Sequence, residues 1–311
     1  MAHHHHHDSA AGGVLQWSLI ATAAFVALEL IVGVRAHSLA LVSDAGHNFT
    51  DALAILLAAL CLRLESKPAD DTRTYGYHRA GVLAAFVNAL SLVAFSLFIF
   101  YESGLRIAHP EPVESGAMLW VAALGLLLNG SIMLGLRAGS RHDLNIRAAF
   151  VHMLGDALGS IAILIGALVI RRTGWQIVDP LLSIAIGLLI VWTARDIIKE
   201  SLNILLEGLP RGLQLSDVAG RMREVPGVID VHDLHIWSLA SEAHALSSHV
   251  LIEDMPPSSS NAILEDLNRV LCDGFHIHHT TIQFEHVRCA LAGTPCSVAE
   301  SAHHHKDPEA H

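Results

Sequence analysis

The sequence predicts an all-α membrane bundle of six transmembrane helices followed by a small α+β domain. The first observation is compositional: 52% of the 311 residues are hydrophobic and only 16% are charged, whereas soluble domains carry about 25% charged residues. The second is that long apolar runs fill the chain up to about residue 205, after which charged and turn residues return. The third is the pattern of this second part, which indicates the element order α-β-β-α-β.

The six predicted spans are apolar runs, each near the roughly 20 residues that a helix needs to cross a bilayer. The first run lacks a basic segment in front of it, so we expect a retained helix rather than a cleaved signal peptide. Six such runs in succession argue against buried helices of a soluble core. The runs are 15–34, 39–62, 81–101, 117–136, 147–170 and 177–198.

Loop charges orient this bundle, because cytoplasmic loops carry the excess of Lys and Arg. The connections after the second, fourth and sixth runs hold nine basic residues, and the opposite connections hold four. We therefore expect a multi-pass protein of the cell membrane with both termini in the cytoplasm. The nine are Arg63, Lys67, Arg73, Arg79, Arg137, Arg141, Arg147, Arg195 and Lys199; the four are Arg35, Arg106, Arg171 and Arg172.

The domain boundaries follow from these patterns. Residues 15–205 form the predicted transmembrane domain, and 209–287 a cytoplasmic domain with a ferredoxin-like or metallochaperone-like fold. Its predicted helices are 215–224 and 263–271, its strands 228–239, 245–252 and 279–285, and the Pro-Pro-Ser-Ser-Ser segment at 256–260 is a predicted turn. We expect a His-rich cytoplasmic tail at 1–14 and a flexible tail at 288–311.

Charge and cysteine usage argue against a nucleic-acid-binding protein and against a secreted scaffold held by disulfides. A net charge of −11 disfavours nucleic-acid binding, because the phosphate backbone is repelled. The four cysteines show no closely spaced framework, so we expect free thiols in a reducing compartment. They are Cys61, Cys272, Cys289 and Cys296.

Two predicted spans contain the same polar pattern, His-x-x-x-Asp. His47 and Asp51 lie in the second run, and His152 and Asp156 in the fifth. An i,i+4 pair projects from one face of a helix, so two facing helices would offer two imidazoles and two carboxylates to one point. Four nitrogen and oxygen ligands are what tetrahedral Zn²⁺ requires. A single pair could equally be a His–Asp hydrogen bond within the packing, but two copies in membrane spans favour a metal site.

Other polar residues in the spans have simpler interpretations. Asp44 either orients His47 or lies at the outer mouth of the bundle. The remaining ones are predicted to form interhelical hydrogen bonds. They are Glu29, Asn88, Asn129 and Asp179.

With these residues the chain resembles the cation diffusion facilitator family, in its zinc-transporting branch. The matching segments occur in family order and cover nearly everything from residue 17 to residue 285. The fourth connection is short, as in bacterial members. The segments are LVSDAGHNFTD at 41–51, RTYGYHRAGVLAAFVN at 73–88, RAAFVHMLGD at 147–156, Asp179–Pro180, and HDLHIWSL at 232–239.

The resemblance implies a homodimeric exporter, not an enzyme, that exchanges a divalent cation for protons. It assigns the transport site to His47, Asp51, His152 and Asp156, with the His at the first position favouring zinc. Because protons compete with metal for imidazole lone pairs, proton exchange also suits this ligand set. The implied partners are a second copy of the chain, the lipid bilayer and protons.

The resemblance further assigns a cytoplasmic zinc site to His232, His249, His278 and Glu285, which would stabilise the dimer and sense metal. His278 is expected in the loop before the last strand. Gln283 departs from the family pattern, since some relatives have a His there. In a regular strand His232 and His235 would face opposite sides, because their separation is odd.

Three alternative functions are compatible with the same residues. An intramembrane metalloenzyme would need an open metal position, and the sequence contains no His-Glu-x-x-His motif. The transported ion could be Mn²⁺, Fe²⁺, Co²⁺ or Cd²⁺, because mixed imidazole and carboxylate ligands exclude none of them. The third alternative is a metal-sensing membrane scaffold that moves no ion.

Overall fold

The computed structural model describes residues 8–65, 67–137, 144–240 and 243–287. The chain divides into two compact units. The helical unit comprises residues 1–66 and 83–199, and the C-terminal unit comprises residues 67–82 and 200–311. The predictions for the histidines at 3–7, for Cys289 and Cys296 and for the tail at 288–311 lie outside the described residues.

The helical part consists of six long helices, each of which contains one of the predicted apolar runs. Helix α1 begins at Asp8, within the N-terminal tail predicted at 1–14. Most helices extend past their apolar runs into polar residues. The helices are α1 (Asp8–Arg35), α2 (Leu39–Glu65), α3 (Arg79–Ala108), α4 (Ser115–Leu136), α5 (Leu144–Thr173) and α6 (Val178–Leu205).

Four described helical segments are long and apolar enough to cross a membrane. A helix suits this environment because it satisfies its own backbone hydrogen bonds where no water is available. That α1 and α2 also cross the membrane stays a prediction. The four segments are Arg79–Ala108, Ser115–Leu136, Ala149–Thr173 and Val178–Leu205.

Helices α1, α2, α4 and α5 enclose an apolar core in the helical unit. Phe25, Leu41, Met118 and Ile163 are buried in it. A Cβ atom at Gly125 would lie 2.9 Å from the ring of Phe25, so glycine permits α1 and α4 to approach closely.

The outer surface of the helical unit is also apolar, which distinguishes it from a water-soluble bundle. Trp120, Leu127, Trp192 and Phe98 are exposed. Apolar surface of this extent is typical of contact with lipid.

The C-terminal unit contains a three-stranded sheet, and the predicted order α-β-β-α-β is confirmed. Strand β2 lies between the other two, antiparallel to β1 and parallel to β3. The elements are α7 (Leu215–Arg223), β1 (Val228–Ala240), β2 (Ala243–Ile252), α8 (Pro257–Phe275) and β3 (Ile277–Glu285).

Both helices of this unit cover the same face of the sheet. Met222 of α7 and Leu267 of α8 pack in one core with Ile236, Leu246 and Val250 of the strands. The opposite face, which we call the open face, carries polar side chains such as His249 and Glu285, whereas Ser248 lies on the covered face and is buried.

Two boundaries differ from the sequence prediction. The predicted turn at 256–260 is wrong, because α8 begins at Pro257; proline suits the first helical position, where its missing N–H has no intrahelical role. Strand β3 begins at Ile277, so His278 lies within the strand rather than in the loop before it.

A β-bulge in β1 overturns the prediction that His232 and His235 face opposite sides. His232 pairs with His249 and His235 with Ser247, so three steps along β1 match two steps along β2. Asp233, inside the bulge, has a φ of 49°. The extra residue shifts the alternation by one, and both histidines consequently lie on the open face.

Candidate metal centres

The first candidate centre, which we call the helical cluster, comprises His47 and Asp51 of α2 and His152 and Asp156 of α5. Each pair is separated by one helical turn, which projects its two side chains from one face. In the structure the two faces are turned toward each other.

Each imidazole of the helical cluster contacts both carboxylates through Nε2. His47 Nε2 lies 3.5 Å from Asp51 Oδ2 and 3.6 Å from Asp156 Oδ1. His152 Nε2 lies 3.3 Å from Asp51 Oδ2 and 3.7 Å from Asp156 Oδ2. The four groups thus alternate around a ring, with nitrogen and oxygen atoms as neighbours.

Four of the six separations between the ligand atoms are close to those of a tetrahedral metal site. Bonds of about 2.0 Å to zinc place neighbouring tetrahedral ligands about 3.3 Å apart. The imidazole–carboxylate separations of 3.3–3.7 Å approach this value, and an ion at the centre would also draw the two imidazoles toward each other, and likewise the two carboxylates. In addition, Asp51 Oδ2 is buried and makes no hydrogen bond among the described residues, which is uncommon for a buried polar atom without a ligand-binding role.

The helical cluster is closed on one side and open on the other. The side chain of Asp156 is 6% exposed, whereas that of His152 is 45% exposed. Asp156 thus lies on the inner side of the helical cluster and His152 on its outer side.

Polar neighbours surround the cluster within the helical unit. Asn48, next to His47, donates a hydrogen bond of 3.3 Å to Glu29 of α1, which confirms the interhelical role predicted for Glu29. Asp44 is buried rather than located at an open mouth. Asn88 Oδ1 makes no hydrogen bond to any described residue, so the role predicted for Asn88 is not seen.

The second candidate centre, the sheet cluster, comprises His232 of β1, His249 of β2 and Glu285 of β3. Their ligand atoms lie within 4.8 Å of one another. Glu285 contacts both imidazoles: Oε2 lies 3.1 Å from His232 Nε2, and Oε1 lies 2.8 Å from His249 Nδ1. Despite the short distance to Glu285, both ring nitrogens of His232 are buried and make no hydrogen bond of acceptable geometry to a described residue. A cation between these groups would supply the missing partner.

His278, the fourth residue assigned to the cytoplasmic site, is not brought to the sheet cluster within the chain. The register of β3 with β2 is irregular between Ile277 and His279, and the side chain of His278 contacts α8, which covers the face of the sheet opposite Glu285. His278 Nδ1 instead lies 3.3 Å from Cys272 Sγ. Nearby, burial and the charges of His276 and His278 lower the pKa of His244.

Asp233 extends the sheet cluster, and sequence reasoning did not identify it. Its carboxylate lies 3.0 Å from His235 Nε2 and 3.8 Å from His249 Nε2. A carboxylate that faces the second nitrogen of a metal-binding imidazole fixes the ring orientation. Only the bulge places Asp233 there, and no residue pattern in the strand indicated a bulge.

Asp70, in the connection between α2 and α3, has a structural role. Its carboxylate accepts hydrogen bonds from the hydroxyl and the backbone N–H of Thr72, the N–H of Arg73 and the hydroxyl of Tyr77. These bonds, those of Thr72 first, lower the pKa of Asp70 to about 2. The carboxylate therefore stabilises the turn.

Comparison with known proteins agrees with both units. Residues 15–206 match the family model of the cation efflux transmembrane domain, and residues 210–287 match that of the cation efflux protein cytoplasmic domain. The chain is 40% identical to the metal cation efflux system protein CzcD of Cupriavidus metallidurans, over 93% of this chain and 89% of the relative.

Further relatives are similar over comparable lengths. The zinc transporter ZitB of Escherichia coli is 40% identical, over 94% of this chain and 93% of its own. The cadmium, cobalt and zinc/H(+)-K(+) antiporter of Bacillus subtilis is 34% identical, over 94% and 96% respectively. Among solved structures, the metal-bound C-terminal domain of the CzcD transporter is 38% identical, covering 24% of this chain and 99% of that domain, with a TM-score of 0.22.

The matched models cover both the transmembrane and the cytoplasmic parts, and the relatives align along nearly the whole chain. The motifs around His47, His152 and His232 lie inside these matched regions. The chain therefore belongs to the cation efflux family, also called the cation diffusion facilitator family, in its zinc-transporting branch, and is a divalent-cation efflux transporter.

Proposed function

We propose that this protein exports zinc from the cytoplasm in exchange for protons, through the helical cluster formed by His47, Asp51, His152 and Asp156. In this proposal all six long helices cross the cell membrane, both termini are cytoplasmic, and two copies form the working dimer. The family models of a transmembrane and a cytoplasmic cation efflux domain support it, as does the dimerisation for which the second model is named.

The single observation that carries the proposal is the alternating ring of two imidazoles and two carboxylates on α2 and α5. Its spacing suits a tetrahedral ion with mixed nitrogen and oxygen ligands. Four protein groups fill such a site, which leaves no open position for the water of a metalloenzyme. A site assembled from two separate helices also allows release, since a relative movement of the helices separates the ligands.

Proton exchange follows from the chemistry of the same four groups. Neutral imidazole and ionised carboxylate bind zinc, whereas their protonated forms do not. Protons that reach the cluster therefore displace the metal, and the protonated cluster returns to the cytoplasmic side. The name of the Bacillus subtilis relative, a cadmium, cobalt and zinc/H(+)-K(+) antiporter, supports this coupling.

We further propose that the sheet cluster binds a structural zinc ion in the cytoplasmic domain. Three strands contribute one ligand each, so an ion there joins neighbouring strands and couples binding to the stability of the domain. This site is expected to stabilise the dimer and to respond to cytoplasmic metal.

Zinc flux into proteoliposomes loaded with a zinc-sensitive dye tests the function. The wild-type protein should accumulate zinc when the interior is acidic, and Asp51→Ala and His152→Ala should reduce flux to the level of empty liposomes. Ser131→Ala in α4 is a matched control, because among the described residues this exposed hydroxyl donates a hydrogen bond to Leu128 of its own helix. Undiminished flux in both site variants would refute the helical cluster as the pathway, and zero flux in the wild type would favour the scaffold alternative.

Collapsing the proton gradient with an ionophore tests the coupling. We expect uphill zinc accumulation to stop, because protons no longer displace zinc on the far side. Accumulation that continues unchanged would contradict proton exchange while leaving zinc transport intact.

The second candidate function is export of another divalent metal by the same site. It is favoured by the mixed ligand set and by relatives named for cadmium and cobalt as well as zinc. Competition of Cd²⁺, Co²⁺ and Mn²⁺ with zinc in the same liposomes separates the candidates, and stronger transport of one competitor would replace zinc as the substrate.

A further inference from the structure

The N-terminal turn of α2 is completed by a carboxylate from another helix. Asp179 of α6 is fully buried, and its two oxygens accept the backbone N–H of Leu39 at 2.7 Å and that of Ala40 at 3.3 Å. The hydroxyl of Ser38 donates to the same carboxylate at 2.6 Å. This contact confirms that Asp179 has the interhelical role predicted from the sequence and shows which partner it takes.

Ser38 and Asp179 together accept the backbone N–H groups that begin α2 and have no partner within the helix. The Ser38 hydroxyl accepts the N–H of Leu41 at 3.3 Å, and the Ser38 carbonyl accepts the N–H of Val42. The first N–H groups of a helix have no partners within the helix, and leaving them unpaired in apolar surroundings is costly. Because the helix dipole also favours a negative group here, α2 is bound firmly to Asp179.

The position at which α2 is held determines the geometry of the helical cluster. His47 lies nine residues after Ser38, about 14 Å along the axis at 1.5 Å per residue. A rigid helix transmits any axial shift or rotation at its start to His47 and Asp51, whereas His152 and Asp156 belong to α5. The distances of 3.3–3.7 Å within the helical cluster therefore depend on where α2 is held.

Other hydrogen bonds tie the same end of the bundle but reach the chain before α2. Arg106 of α3 donates to the carbonyl of His37, and the N–H of Glu114 bonds the carbonyl of Ala36 at 3.0 Å. Among the hydrogen bonds of the described residues, those from another helix to the first turn of α2 come from Asp179.

We infer that Asp179 is a positioning residue of the transport site, which fixes the axial position of α2 relative to α6 and thereby aligns His47 and Asp51 with the ligands on α5. This inference rests on the proposed function of the helical cluster. Capping alone would stabilise α2 without fixing its position, so the two roles of Asp179 can be separated experimentally.

The probe is Co²⁺, titrated into the full-length protein in detergent, because tetrahedral Co²⁺ absorbs visible light far more strongly than the octahedral ion. A background with His232→Ala, His249→Ala and Glu285→Ala removes the sheet cluster. The signal of the helical cluster is the part of the spectrum that a further Asp51→Ala removes. If Asp51→Ala removes nothing, the proposed transport site fails, independently of Asp179.

Asp179→Ala should weaken Co²⁺ binding at the helical cluster by about tenfold, within the range for residues that act on a site without contacting its ligand, and should change the band shape. Asp179→Asn keeps an oxygen acceptor and should restore most of the affinity. Ser183→Ala is the matched control, because the one hydrogen bond that this buried hydroxyl makes within the described part of the chain goes to the Asp179 backbone carbonyl; its titration should equal that of the background.

Ser38→Asp combined with Asp179→Ala separates tethering from capping. The new carboxylate caps α2 from its own chain and should restore thermal stability, but not the Co²⁺ affinity or the band shape. Restoration of both by Ser38→Asp would overturn the inference in favour of a simple cap. An Asp179→Ala protein that binds Co²⁺ like the background would overturn it as well.

Discussion

The two candidate centres use the same ligand types but hold them in opposite ways. In the helical cluster, four groups come from two helices, and each imidazole faces both carboxylates at 3.3–3.7 Å. In the sheet cluster, three groups come from three hydrogen-bonded strands, and one carboxylate contacts both imidazoles at 3.1 and 2.8 Å.

This difference indicates different tasks. Strands joined by backbone ladders keep their register, so an ion bound between them stays bound. Helices that contact each other through side chains can move relative to one another, so an ion between them can be released. We therefore propose that the helical cluster serves transport and the sheet cluster retention, and each of the following predictions tests one of these two roles.

The largest effect is expected on transport. Asp156→Ala should reduce zinc flux by more than about 100-fold, because even partners that only orient a ligand contribute 10- to 100-fold. Glu285→Ala should retain most of the flux, since the sheet cluster does not carry the ion. Flux of both proteins in dye-loaded proteoliposomes checks this, and equal losses in the two variants would remove the division of tasks.

The next effect concerns stability of the cytoplasmic domain. Zinc at 100 times its dissociation constant should stabilise the sheet by about 2.7 kcal/mol, seen as slower hydrogen exchange in β1, β2 and β3. His249→Ala should abolish this protection, whereas Asp51→Ala should preserve it. Protection that vanishes in Asp51→Ala instead would show that the sheet does not bind zinc by itself.

A smaller effect is expected for Asp233. Asp233→Gly should lower the zinc affinity of the sheet cluster about tenfold, because the carboxylate that orients His249 is lost. Glycine accepts the φ of 49°, so the bulge itself should persist. Asp233→Asn, which also tolerates this conformation and keeps an oxygen, should recover part of the affinity in the same competition titration. Unchanged affinity in both variants would exclude an orienting role.

The smallest effect is expected for His278. Since its side chain lies on the face opposite Glu285, His278→Ala should change the zinc affinity of the sheet cluster by no more than about twofold, as for surface substitutions. The same competition titration measures this. A loss comparable to that of His249→Ala would return His278 to the ligand set and require a contribution from a second copy of the chain.

The sequence was most informative where periodicity is regular. The i,i+4 spacing of His47 with Asp51 and of His152 with Asp156 is fixed by helix geometry, so the residues themselves predicted a shared face. That the two faces meet depends on packing between α2 and α5, for which two matching copies in membrane spans were the only indication.

The strands were less predictable, because one inserted residue reverses every later side chain. The bulge at Asp233 brings His232 and His235 to one face, contrary to the alternation expected from the sequence. Likewise, the position of His278 depended on whether β3 begins at 277 or 279. Such boundaries arise from register with β2, which a single sequence does not specify.

X-ray absorption of zinc bound to the full-length protein shows whether α2 and α5 share one metal site, in a background that lacks the three ligands of the sheet cluster. We expect a four-coordinate ion with nitrogen and oxygen ligands at about 2.0–2.1 Å, and its loss on either Asp51→Ala or Asp156→Ala. A six-coordinate oxygen environment, or a spectrum that both variants leave unchanged, would contradict a transport site shared by α2 and α5.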